Sequence, residues 1–99
     1  MRFEFHPDAL TEYTQAASYY AKQQDGLQHR FIEHVEQTIQ KIQNDPERYR
    51  FFEEDVRRCL TPVFPYAVLY TIEPEFIHIV AITHCARQPG YWQKRLADD

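Results

Sequence analysis

The chain has 99 residues, 43% apolar, 15% aromatic and 26% charged, with a formal net charge of -4. A chain of this size buries about two-thirds of its unfolded surface, so one domain over residues 1–99 is expected, with no room for a second. No apolar run approaches the roughly 18 residues needed to span a bilayer, and MRFEFHPDAL lacks the apolar core of an export signal. A cytoplasmic protein with no membrane partner is expected.

In chain order, RFEFH reads as a short strand ended by Pro7, which can also open the next helix. From Pro7 to about Gln24, Leu10, Tyr13, Ala17 and Tyr20 recur at helical spacing, with Glu12, Gln15 and Lys22 elsewhere around the wheel. Asp25-Gly26 breaks the pattern. Leu27, Phe31, Val35, Ile39 and Ile42 then mark the clearest amphipathic helix, stopped at Asn44-Asp45-Pro46. So short a break predicts an antiparallel helical hairpin.

ERYRFFEED reads as a polar, aromatic connection, after which the period becomes that of strands. VRRCL is short and suits a place near an edge. YAVLYTI and FIHIVAIT are β-rich and joined by a turn at Glu73-Pro74-Glu75. The expected fold class is α+β, in the order β-α-α-β-β-β. Its two helices pack on one face of a small antiparallel sheet, and the other face stays partly open.

Charge is unevenly placed. Residues 1–54 hold six Lys and Arg against ten Asp and Glu, while residues 84–97 hold Arg87, Lys94 and Arg95 with no acid. The same segment carries His84, Tyr91 and Trp92. Cys59 and Cys85 are expected to be free thiols, as a reducing cytosol and the lack of a disulfide framework imply. Neither has a neighbouring cysteine and no HExxH spacing occurs, so neither metal nor cofactor is expected.

Four local patterns in this order carry a family resemblance: YY near the end of the first helix, RFIEHVEQTIQKIQNDPERY in the second and its exit, VRRCLTPVFPYAVLYTI across two strands, and HCARQPGYW after the last. The chain resembles the RelE/ParE superfamily of toxins from type II toxin-antitoxin pairs. The resemblance implies a cognate antitoxin as partner, with DNA met only indirectly through that antitoxin. It also implies one of two targets, since some members cleave mRNA on the ribosome and others bind DNA gyrase.

For the nuclease branch, the resemblance places catalytic roles at Arg58, Arg87 and Tyr91. Metal-free cleavage needs a base, an acid and cations around the phosphate. Two positions that are cationic in that branch are Leu60 and Ala67 here, and Tyr91 follows Arg87 more closely than the branch's pattern. A net acidic chain also offers few cations for RNA phosphates. The expected function is therefore a toxin that inhibits a type II topoisomerase such as gyrase by binding it, through Arg57, Arg58, His84, Arg87 and Tyr91. The alternatives are a ribosome-dependent endoribonuclease and a non-toxic member that keeps only antitoxin binding.

Each of these residues also has a plain structural reading. Arg57 and Arg58 would point to opposite faces of a strand, free in solvent or paired with acids such as Glu53 and Glu54. Arg87 would bond a carbonyl or a helix end. His84, on the side of Val80 and Ile82, would be a hydrogen-bonded structural imidazole. Tyr91 and Trp92, after the Pro89-Gly90 turn, would form a lid of rings over the sheet's edge.

Overall fold

The computed structural model describes residues 1–97. Its elements are β1 (Arg2–Phe5), α1 (Pro7–Gln23), α2 (Leu27–Asn44), β2 (Phe51–Glu53), β3 (Val56–Leu60), β4 (Tyr66–Ile72) and β5 (Phe76–His84), followed by a 3-10 turn at Gln93–Ala97. The strands form one sheet in the order β1-β5-β4-β3-β2.

The helices begin and end where local chemistry dictates. His6 caps α1, its Nδ1 accepting from the Asp8 amide at 3.0 Å, and Pro7 fills the first position, where no amide is needed. Gly26 precedes α2 at φ 85°, a left-handed conformation that glycine adopts without penalty. At the far end of α2, the Asp45 amide bonds the Lys41 carbonyl. Between the helices, the Tyr13 hydroxyl donates to Glu36 at 2.8 Å.

α2 buries the face that its period marks: Phe31, Val35, Ile39 and Ile42 are at most 1% exposed. Burying each such side chain is worth about 1.5–3 kcal/mol. They meet Cys59, Val68, Tyr70, Ile77, Ile79 and Ile82 from the sheet. Tyr20, Phe31, Phe64 and Tyr66 add a cluster of rings with centroids 4.9–6.2 Å apart. The buried Tyr70 hydroxyl is satisfied by the Pro46 carbonyl at 2.6 Å.

The sheet departs from expectation in three ways. First, it is mixed: β1 runs parallel to β5, pairing Phe3 with Ile77 and Phe5 with Ile79. β5 is buried along most of its length, so the backbone groups on both its edges need partners, and β1 supplies the second set. Second, the ERYRFFEED connection contains β2, which pairs antiparallel with β3 and makes the sheet's edge. VRRCL therefore lies one strand in from that edge.

Third, the face away from the helices holds a second core. Val56, Ala67, Leu69, Val80 and Ala81 lie beneath Trp92, which is 2% exposed, and Phe52, Tyr91 and Leu96 pack around them. Trp92 thus covers the middle of this face as well as closing its rim. A bulge makes this possible: Leu69 pairs with Ala81 and Tyr70 with Ile79, leaving Val80 unpaired between them. Val80 and Ala81 then both belong to the second core, and His84 shares a side with Ile82 and not with Val80.

Candidate functional site

Arg58, Arg87 and Tyr91 come together at one cleft of about 180 Å³ on the sheet face away from the helices, and His84, whose ring packs on Tyr66 on the helix side, borders it from the end of β5. Ala67, Leu69 and Trp92 also line it, with Phe52 on the β2 side. Alternation along β3 puts Arg58 on the cleft side, its guanidinium 4.5 Å from the Phe52 ring centroid.

The same alternation turns Arg57 toward the helices, and the cleft does not include it. Arg57 Nη1 donates to the carbonyls of Glu47 at 3.0 Å and Tyr49 at 2.7 Å, while its guanidinium covers the Phe51 ring at 3.9 Å. It ties the chain leaving α2 to β3, through backbone carbonyls rather than through Glu53 or Glu54. The Arg57 side chain is thereby committed to the fold.

Arg87 and Tyr91 form a stacked pair, the guanidinium 3.5 Å from the ring centroid. Both also reach Glu12, a residue of α1 with a side chain only 11% exposed. Tyr91 donates its hydroxyl to Glu12 Oε2 at 2.6 Å. Arg95 forks onto the carboxylate, Nη1 to Oε1 at 2.9 Å and Nη2 to Oε2 at 3.0 Å, and its Nη1 also reaches the Val80 carbonyl at 2.9 Å. The Ile82 amide adds a bond to Oε1 at 3.1 Å, and Arg87 Nη1 lies 3.3 Å from Oε2.

This carboxylate sets the protonation of its neighbours. Burial raises the Tyr91 hydroxyl above its ordinary value, and the hydrogen bond and charge of Glu12 raise it further. Burial alone would lower Arg95, but the bonds and charge of Glu12 outweigh it and leave it raised. Tyr91 therefore keeps its proton at neutral pH and Arg95 keeps its charge.

His84 is exposed at the end of β5. Its Nδ1 accepts from the Ala86 amide at 3.0 Å, which leaves the ring proton on Nε2, and the ring stands edge-on to Tyr66 at 5.3 Å. Leu60 and Ala67 are direct partners across β3 and β4, so the two uncharged positions fall at one place. Leu60 is 57% exposed and Ala67 is buried beneath the cleft. Among the described residues, no group of three or more His, Cys, Asp or Glu side chains could hold a metal ion.

Sequence reasoning did not find Glu12, because its partners lie 70 to 83 positions away. One signal was present. Ala9 and Ala16, three residues before and four after, share its helix face and are buried, marking where α1 comes close to the sheet.

The comparisons with known proteins agree with this architecture. No protein of curated function matches the chain. Among solved structures, it is similar to one described as the chromosomal ParDE TA system from P. aeruginosa, with a TM-score of 0.69 at 11% identity over 85% of this chain and 95% of that one. At that identity the likeness establishes the fold. The family model described as ParE toxin of type II toxin-antitoxin system, parDE, matches residues 3–89. That span runs from within β1 through the end of β5 and includes Glu12, Arg58, His84 and Arg87, and this chain therefore belongs to the ParE toxin family of type II toxin-antitoxin systems.

Proposed function

We propose that this toxin works by binding and inhibiting a type II topoisomerase such as gyrase in the cytoplasm, and that a cognate antitoxin neutralises it. The observation that carries the reading is that Glu12 takes up the Tyr91 hydroxyl of the cleft and the neighbouring Arg95. A ribonuclease needs a group free to take the 2'-hydroxyl proton and cations free to meet a phosphate. Tyr91 gives its hydroxyl to Glu12, Arg95 is forked onto the same carboxylate, and Leu60 and Ala67 bring no charge. A cleft rimmed by Arg58, Arg87 and rings suits a protein surface, where arginine and aromatic side chains carry most of the binding energy.

DNA contact in this reading comes through the antitoxin, since the toxin's net charge of -4 makes it a poor ligand for phosphates. The test is DNA supercoiling by purified gyrase in the presence of the purified chain. Inhibition that a co-expressed antitoxin relieves supports the reading. Normal supercoiling at large molar excess removes it.

One observation favours the second reading, an endoribonuclease. Arg58, His84, Arg87 and Tyr91, drawn from β3, β5 and the segment after it, line a single cleft. His84 would then act through Nε2, because Nδ1 is engaged by the Ala86 amide.

A further inference from the structure

Glu12 receives more donors than one carboxylate serves well. Oε1 takes the Ile82 amide and Arg95 Nη1, and Oε2 takes the Tyr91 hydroxyl and Arg95 Nη2, all at 2.6–3.1 Å. A carboxylate has about four lone-pair directions. Arg87 is the fifth donor, the longest at 3.3 Å, and its side chain is 51% exposed where that of Arg95 is 11%. The single charge of Glu12 is matched by Arg95 in forked geometry. Asp8 faces Arg95 from the other side at 3.8 Å, but it is 65% exposed and water screens it. Arg87 is therefore held in place by stacking on Tyr91, with most of its charge and donors unspent.

Resting on the reading above, we propose that Glu12 is a positioning residue for target binding: it seats the 84–97 segment on the sheet through Tyr91 and Arg95, and leaves Arg87 to join Arg58 in receiving a carboxylate side chain of the partner protein. The cleft between them, about 180 Å³, has room for about six waters, enough for an acidic side chain. A guanidinium fork matches a carboxylate, and the rings of Phe52 and Tyr91 behind the two arginines keep both forks oriented. An RNA phosphate would need the further cations that Leu60 and Ala67 do not supply.

The chain offers its own reporter, because Trp92 is its single tryptophan and lies buried between the seated segment that carries it and the sheet. In Glu12→Gln, Trp92 emission shifts to the red and becomes several-fold more accessible to acrylamide, while the far-UV spectrum stays native. Growth arrest and gyrase inhibition weaken by tenfold or more. Glu12→Asp recovers part of both. In Arg87→Ala, Trp92 stays where it is and inhibition weakens about tenfold, which separates the contact from the seating. If Glu12→Gln does not fold, Tyr91→Phe is read instead, with a smaller shift in the same direction.

Unchanged Trp92 emission and unchanged potency in Glu12→Gln would overturn the proposal. So would an RNA oligonucleotide that binds the chain in a manner dependent on Arg58 and Arg87. If Glu12→Gln moves Trp92 and abolishes growth arrest while the wild-type chain leaves gyrase untouched, the positioning role stands and only the topoisomerase reading falls.

Discussion

Cys59 and Cys85 differ in ways that chemistry can read at once. Cys59 is buried against Val68 and Tyr70, and burial pushes its thiol above the ordinary value, whereas Cys85 is exposed after β5. A thiol reagent at neutral pH is expected to label one cysteine per native chain quickly and the second only on unfolding. Equal rates would contradict the burial. Tyr70 makes a second residue-level case: Tyr70→Phe strands the Pro46 carbonyl and is expected to cost roughly 1–2 kcal/mol in denaturant unfolding. Which polar residues matter was only partly legible in the sequence. Arg58, Arg87, His84 and Tyr91 stood out by type and place, and they line one cleft. Alternation favoured Arg58 over Arg57 and set the two on opposite faces, but which face stays open is not written in the strand itself. Apart from the alanines on its helix face, Glu12 left no mark, because its role exists only once α1 crosses β5 and the segment after it.

At the scale of elements, what the sequence hid was irregularity. A three-residue strand such as β2 is too short to show a period of two, and the bulge at Val80 shifts every following side chain of β5 by one face. The long helix and the two apolar strands were plain because their burial repeats over many residues. The β3–β4 turn stores strain: Val63 sits at φ 71°, with the Phe64 amide bonded to the Pro62 carbonyl at 2.7 Å across it. A β-branched residue in that region costs about 1–3 kcal/mol, and glycine's extra chain entropy about 0.5–1 kcal/mol. Val63→Gly is therefore expected to stabilise the toxin by roughly 1 kcal/mol, measured as a higher denaturation midpoint. On the opposite face, Trp92→Ala leaves a cavity over Leu69 and Val80 and is expected to cost about 3–5 kcal/mol. A loss under 1 kcal/mol would show that the segment contributes little to the second core.

For the whole molecule, the tyrosines set the alkaline limit. Burial is the largest cause that raises Tyr13, Tyr20, Tyr49, Tyr66, Tyr70 and Tyr91 above the ordinary phenol value, and it outweighs cations such as Arg57 beside Tyr70. Their hydroxyls hold protons in the native state that the unfolded chain releases first. The stability this represents is fully present below about pH 10 and is lost as pH rises through the raised native values. The melting temperature is expected to fall above pH 10 as phenolate absorbance rises. The fold itself, two helices on a five-stranded sheet, places the helical layer on one side and a cleft with Arg58 and Arg87 on the other. No helix among the described residues is long and apolar enough to cross a membrane.

Tyr91 in the cleft and Arg95 beside it serve the fold through Glu12, and the uncharged Leu60 and Ala67 leave too few free groups to cut RNA. The most direct measurement is primer extension on messages from cells in which this chain has arrested growth. Messages from the arrested cells are expected to show no new 5' ends within coding regions. Discrete new ends at codon boundaries, lost in Arg87→Ala, would contradict it.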